Sequence, residues 1–332
     1  MVSELKYAVF GSGSWPTALV KILCENLKKV NWYVRKPETA KYIIKEKHNP
    51  SYLTSVEFDT SQLNISTEIN LAAEADVLIF AIPSAFIYAQ LELLKVDIST
   101  KIIVSAVKGI LPESGFLVGE YFHNIKKVPN KQVVVIGGPC HAEEVALERL
   151  SFLTVASESK ATAKEVASKL SCQYIQTHTH NDVVGAEYAA MLKNIYAIAA
   201  GISHGIGYGD NFQSVLISNA IREMKRYIKQ VYKMKRKINE TIYLGDLLVT
   251  AYSTFSRNRM FGNMIGKGYT VKSAQMEMSM VAEGYYAAKS AYEMNKRKKT
   301  SARTPIINTV YDVLYHHQNP QEAFKALATK LD

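Results

Sequence analysis

Apolar residues in the first half of the chain fall in short unbroken runs: Tyr7 to Phe10, Trp32 to Val34, Val77 to Ile82, Ile102 to Ala106, Val133 to Ile136 and Phe152 to Val155. Runs of this length without polar alternation predict strands buried on both faces, as in a parallel sheet covered by helices. Between them lie segments of helical period, such as Thr17 to Leu27. The alternation predicts an α/β domain. After about Asn181 the strand signals stop and long helical patterns follow, from Val183 to Ile202 through to Pro305 to His316. The expectation is a mostly parallel sheet domain over 1–181 and an all-helical domain over 182–332.

The length of 332 residues exceeds what one core usually serves, and 48% hydrophobic content supplies two. The longest uncharged stretches, around Val77 to Leu91 and Asn194 to Gly209, are broken by Pro83 or by glycines and His204, so no integral membrane segment is expected. Glu4 and Lys6 precede a short strand-like run that ends at Gly11, unlike a signal peptide. Cys24, Cys140 and Cys172 are odd in number and widely spaced, which fits a reducing cytoplasm and neither a disulfide framework nor a zinc site. The net charge of +10 admits nucleic acid, an anionic membrane or anionic small molecules as partners. Much of it sits in Lys225 to Lys237 and Lys296 to Arg303, which lack the spaced aromatics of a single-strand platform and read as solvated surface, so no nucleic acid is expected.

Directly after the first run stands G-S-G-S-W-P, residues 11 to 16, opening a helical segment. Strand, glycine turn and helix in this order are the context of a Rossmann-type dinucleotide-binding domain, although a lone glycine motif also reads as a simple strand-to-helix turn. Gly11 permits the tight turn, Gly13 lets a pyrophosphate approach the backbone, and Ser12, Ser14 and Trp15 lead into a helix start with unpaired N–H groups. Pro16 replaces the third glycine, which the first turn of a helix tolerates. About 20 residues on, where an NAD-specific enzyme places an acid, the chain has Arg35 and Lys36. Arg35 there either pairs with a 2′-phosphate or faces solvent at a strand end.

Further motifs follow in order: A-I-P-S at 81–84, V-K-G at 107–109, G-P-x-x-A-x-E at 138–144, L-K-N at 192–194, G-x-G-x-G-D-N at 205–211, G-D-L at 245–247, S-R-N-R at 256–259 and V-A-E-G at 281–284. With the glycine turn they span nearly the whole chain, which resembles the bacterial-type NAD(P)-dependent glycerol-3-phosphate dehydrogenases. Pro16, Cys140 and His204 depart from the family pattern. The resemblance implies hydride transfer between NADPH or NADH and a small phosphorylated substrate, interconverting dihydroxyacetone phosphate and sn-glycerol 3-phosphate for phospholipid synthesis, in a homodimer. It also implies that Lys108, Lys193 and Asp246 surround the hydroxyl end of the substrate, with Gly138, Cys140 and Asn194 alongside. Ala142, Val281 and Glu283 fall on the cofactor side, to which Lys108 and Arg257 also contribute.

The residues support this chemistry on their own. Oxidising a secondary alcohol needs a group that takes the hydroxyl proton as hydride leaves. Lys193 shares a helix face with Ala186, Ala189, Ala190, Ala197 and Ala200, Tyr196 being the one bulky neighbour, so there is room for a partly buried amine suited to a general base. The alternative is a lysine reaching from an alanine-lined face to solvent. A phosphate wants a guanidinium with neutral donors, which Ser256, Arg257 and Asn258 supply, although S-R-N-R also reads as a helix cap with exposed arginines. Gly138 and Pro139 form a turn after a strand, where a sheet meets ligand. His178, His180 and Asp182 match no familiar metal spacing, and no metal is expected. Competing functions are a related two-domain 3-hydroxyacid dehydrogenase, a catalytically silent nucleotide-binding protein and a basic membrane-associated scaffold.

Overall fold

The computed structural model describes residues 4–111, 115–278, 282–297 and 301–332. Within these, β1 (Tyr7–Phe10), β2 (Val30–Tyr33), β3 (Leu63–Ser66), β4 (Val77–Phe80), β5 (Ile102–Ser105), β6 (Val133–Gly137), β7 (Ser151–Ser157) and β8 (Ile175–His180) form one sheet in the order β3-β2-β1-β4-β5-β6-β7-β8. The strands from β3 across to β6 run parallel, β7 is antiparallel to β6, and β8 is parallel to β7. The six expected strands are all present, with ends shifted by a few residues. The two that the apolar runs did not announce, β3 and β8, are the two edges of the sheet. An edge strand is paired on one side only and tolerates polar residues such as Asn64, Ser66, Gln176 and His178, so it leaves no unbroken apolar run.

The helices of this half are α1 (Ser14–Cys24), α2 (Pro37–Glu46), α3 (Ser84–Glu92), α4 (Val118–Asn124), α5 (Ala142–Ala146) and α6 (Lys160–Leu170). Successive strand residues face opposite sides of the sheet. Tyr7 and Val9 of β1 join a core with Leu19 and Ile22 of α1 and Val166 of α6, whereas Ala8 and Phe10 join another with Ile87 of α3 and Tyr121 and Phe122 of α4. The inner strands are therefore mostly apolar, because both faces of the sheet are covered. Strand order reverses between β1 and β4, where the carboxyl ends of parallel strands leave a crevice for ligand.

The rest of the chain is helical: α7 (Val183–Gly205), α8 (Asp210–Val231), α9 (Asp246–Tyr252), α10 (Arg257–Gly266), α11 (Val271–Glu277), α12 (Glu283–Lys296), α13 (Pro305–Tyr315) and α14 (Pro320–Ala328), with a π-helical turn over Thr241–Gly245. The chain divides into compact units Met1–Ala186 and Glu187–Asp332, the division falling inside α7.

In the second unit, α7 and α10 meet backbone to backbone. A Cβ on Gly201 would lie 2.1 Å from the Arg259 carbonyl oxygen, and one on Gly262 would lie 2.2 Å from that of Ile198. Gly205 and Gly266 repeat the contact one turn along. Glycine at four-residue spacing on both helices lets them touch along a seam that any side chain would open. At the far end of α8, Lys225, Lys229, Lys233, Lys235 and Lys237 are exposed. Of the second basic run, 298–300 lie outside the described residues.

Candidate active site

The glycine turn follows β1, next to the β4 end. Gly11 has φ +125, and a Cβ there would lie 2.9 Å from the Ala81 carbonyl oxygen, so the turn is pressed against A-I-P-S. Gly13 is different. Its φ of −78 suits any residue, and an added Cβ would meet only Pro16 Cδ, at 4.0 Å. The protein itself thus sets no steric demand for glycine at 13, and the open space fits a ligand that approaches the backbone. Helix α1 starts without a side-chain cap or an acidic residue in its first turn, as an anion-binding helix start should. Ser14 and Trp15 are its first two residues and Pro16 its third, where the missing N–H falls among the unpaired ones. These features fit the pyrophosphate of a dinucleotide. Arg35 and Lys36 are exposed just past β2, and Lys36 is the N-cap residue of α2.

Three buried side chains hold this turn from behind. Trp32 Nε1 donates to the Gly11 carbonyl at 2.7 Å, Asn49 Nδ2 to that of Ser12 at 3.0 Å, and Thr17 Oγ1 to that of Gly13 at 2.8 Å. In the sequence Asn49 reads only as part of an Asn-Pro turn, because the contacts of its Nδ2 lie 32 or more residues away.

Two further turns at strand ends carry expected residues. A Cβ on Gly109 would lie 2.9 Å from Ser84 Oγ, which seats the turn of Lys108 on the start of α3. Gly138 has φ +125 and faces the Phe152 carbonyl, where a Cβ would come within 2.7 Å. Cys140 is half-buried beyond it, and Ala142 is buried as the first residue of α5. His178 lies against Phe152 with its ring parallel, and His180 Nδ1 accepts from the Asp182 N–H, so both belong to the strand end leading to α7. Among the described residues no group of three or more His, Cys, Asp or Glu could hold a metal ion.

In the helical unit, Lys193 is 4% and Asp246 2% exposed, and the Lys193 amine donates to Asp246 Oδ1. The alternative of a solvent-reaching lysine does not hold. The π-helical turn ends where α9 begins, so Asp246 stands at a helix start, where a carboxylate is favoured. Asn194, the next residue of α7, has its Nδ2 buried without a hydrogen-bond partner among the described residues. A buried amide donor left unpaired costs roughly 1–3 kcal/mol, so it points to a ligand acceptor.

The second motif cluster closes on the same helix. A Cβ on Gly284 would lie 2.6 Å from the Asn194 carbonyl oxygen, and the Gly284 N–H donates to Asn258 Oδ1 at 2.8 Å. L-K-N, S-R-N and V-A-E-G are thereby brought together. Ser256 does cap α10, its Oγ accepting from the Arg259 N–H, and this uses only the acceptor side of the hydroxyl. Arg257 is the half-buried first residue of α10, and Glu283 the first of α12. Val281 lies outside the described residues. His204 is exposed near the end of α7.

Known proteins match nearly the whole chain. Residues 6–163 match the model for the NAD-dependent glycerol-3-phosphate dehydrogenase N-terminus, and 182–325 that for its C-terminus. A glycerol-3-phosphate dehydrogenase [NAD(P)+] from Prosthecochloris aestuarii is 34% identical over 97% of each chain. One from Bacillus subtilis is 33% identical over 98% of this chain and 94% of the relative. The crystal structure of glycerol-3-phosphate dehydrogenase from Coxiella burnetii superposes with a TM-score of 0.89 at 27% identity, over 98% of this chain and 99% of that one. The chain belongs to the NAD-dependent glycerol-3-phosphate dehydrogenase family.

Proposed function

We propose that the protein interconverts dihydroxyacetone phosphate and sn-glycerol 3-phosphate with NADPH or NADH. The observation that carries this reading is the buried Lys193–Asp246 ion pair, with the buried Asn194 Nδ2 donor next in sequence without a partner among the described residues. When bound, the reduced nicotinamide supplies the hydride that ends on the carbonyl carbon. Lys193 donates a proton to the carbonyl oxygen as that oxygen gains charge, and takes it back from the hydroxyl in the reverse direction. Asp246 holds the amine in one orientation, and Asn194 Nδ2 donates to a substrate oxygen. Arg257 grips the phosphate with its guanidinium fork, assisted by the Ser256 hydroxyl and the Asn258 amide. By family resemblance Lys108, Gly138 and Cys140 complete the substrate contacts, and Gly11, Ser12, Gly13, Ser14, Trp15, Arg35, Lys36, Lys108, Ala142, Arg257, Val281 and Glu283 bind the cofactor.

The domain division at 181/182, a cytoplasmic location and a homodimer belong to the same reading. Cys24, Cys140 and Cys172, none of them in a disulfide, and the lack, among the described residues, of a helix long and apolar enough to cross a membrane support the location. Leu248, Tyr252, Phe255 and Met260, all exposed around the α9–α10 turn, support self-association.

Purified protein should consume NADPH or NADH with dihydroxyacetone phosphate and leave acetoacetyl thioesters and keto acids untouched. Turnover of those instead would replace this substrate with that of a 3-hydroxyacid dehydrogenase, and cofactor binding without any turnover would make the chain a nucleotide-binding protein.

A further inference from the structure

Three successive carbonyls of the glycine turn, those of Gly11, Ser12 and Gly13, are held by Trp32, Asn49 and Thr17. In a trans peptide the C=O of one residue and the N–H of the next point in opposite directions. Drawing these carbonyls inward therefore turns the N–H groups of Ser12, Gly13 and Ser14 away from the protein. Of the three, Asn49 reaches the turn from furthest along the chain, and it is fully buried. Its amide is saturated: Nδ2 donates to the Ser12 carbonyl and to Thr17 Oγ1, and Oδ1 accepts from the N–H groups of Ser51 and Tyr52. Thr17 passes the contact on, donating to the Gly13 carbonyl.

We propose that Asn49 is a positioning residue for the dinucleotide, fixing through the Ser12 carbonyl and Thr17 the direction in which the backbone N–H groups of residues 12–14 meet the pyrophosphate. This rests on the cofactor half of the proposed function. Its contribution is preorganisation: donors already aimed before binding lose less freedom when the anion arrives. It differs from a turn-forming role because the two ends of the amide do separate things. The Oδ1 end folds residues 49–52, and only the Nδ2 end touches the glycine turn.

The two ends are separable by mutation. Asn49→Ala removes both, Asn49→Asp keeps the acceptors for Ser51 and Tyr52 and loses the donors, and Thr17→Val removes the relaying hydroxyl with little change of shape. Dissociation constants for NADH and NADPH, measured by nucleotide fluorescence, should rise about tenfold or more in Asn49→Ala and Asn49→Asp and by a smaller factor in Thr17→Val, equally for both nucleotides because the pyrophosphate is common to them. The KM for dihydroxyacetone phosphate at saturating cofactor should move by less than about twofold. Wild-type nucleotide affinity in Asn49→Ala, or in Asn49→Asp alone, would overturn the proposal, the latter by reducing Asn49 to a turn former. So would an equal loss in the KM for substrate, which marks a general structural defect. Because binding is read apart from turnover, a wild-type protein that binds NADH without reducing dihydroxyacetone phosphate overturns the function and not this role.

Discussion

Lys193 carries the proton of the proposed reaction, and its surroundings set what its loss should cost. Lys193→Ala removes both the proton donor and the charge opposite the developing alkoxide, so kcat should fall by at least about a thousandfold while the dissociation constant for NADPH changes little. Steady-state rates beside nucleotide fluorescence on the folded variant check this, and near-normal turnover would end the assignment. Arg257→Lys should weaken dihydroxyacetone phosphate binding by about 1.5–3 kcal/mol, since an ammonium cannot reproduce a bidentate fork. Unphosphorylated dihydroxyacetone should be used equally poorly by both proteins. At the other end of the cofactor, exposed Arg35 stands where an NAD-specific fold carries an acid. Wild-type protein should accept NADPH at least as well as NADH, and Arg35→Asp should raise the KM for NADPH selectively, with turnover at saturating NADH retained; equal losses for both nucleotides would make Arg35 a surface residue.

Among elements, the seam between α7 and α10 is the least forgiving. A methyl group on Gly262 would run into the Ile198 carbonyl, part of the α7 backbone itself, so relief requires moving a helix. Gly262→Ala should destabilise the protein by about 2 kcal/mol or more. Gly209 gives the contrast: φ is −86 and an added Cβ meets nothing within 4 Å, so Gly209→Ala should cost under about 0.5 kcal/mol. Urea midpoints of the two variants decide the matter. Because α7 carries Lys193 and Asn194 while α10 starts with Arg257 and Asn258, Gly262→Ala should also lower kcat/KM, and a variant that loses stability alone would show that the seam does not align the site.

For the whole molecule, stability should depend on pH through Glu223. This carboxyl is buried on α8 and accepts from the N–H groups of Ile306 and Ile307, capping α13. Burial, only partly offset by those two hydrogen bonds, pushes its pKa up from 4.5 to about 7. The folded state then binds the proton more tightly than the unfolded one, so the contribution is fully present below pH 4.5 and is lost as pH rises to about 7. The loss should come to roughly 3 kcal/mol, at about 1.36 kcal/mol per pH unit. Denaturation of wild type against Glu223→Gln at pH 5 and 8 isolates it, and a difference that does not fall with rising pH would place the titration elsewhere.

What the chain determined by itself was whatever depends on local pattern. Six strands were legible because a strand covered on both faces keeps a mostly unbroken apolar run, and the glycine turn because strand, turn and helix occur in unbroken succession. The family was legible because nine short motifs keep their order from Gly11 to Gly284. Edge strands β3 and β8 were not, since pairing on one side leaves no such run. Only the tertiary structure decided that Lys193 is buried against Asp246, that Ser256 caps its helix, and that Asn194, Asn258 and Gly284 meet. It alone showed why Gly201 and Gly262 are glycines and how Asn49 reaches the cofactor turn. Such contacts join residues tens of positions apart, and a spacing along the chain carries no record of which backbone will come within 3 Å of another until the core has folded.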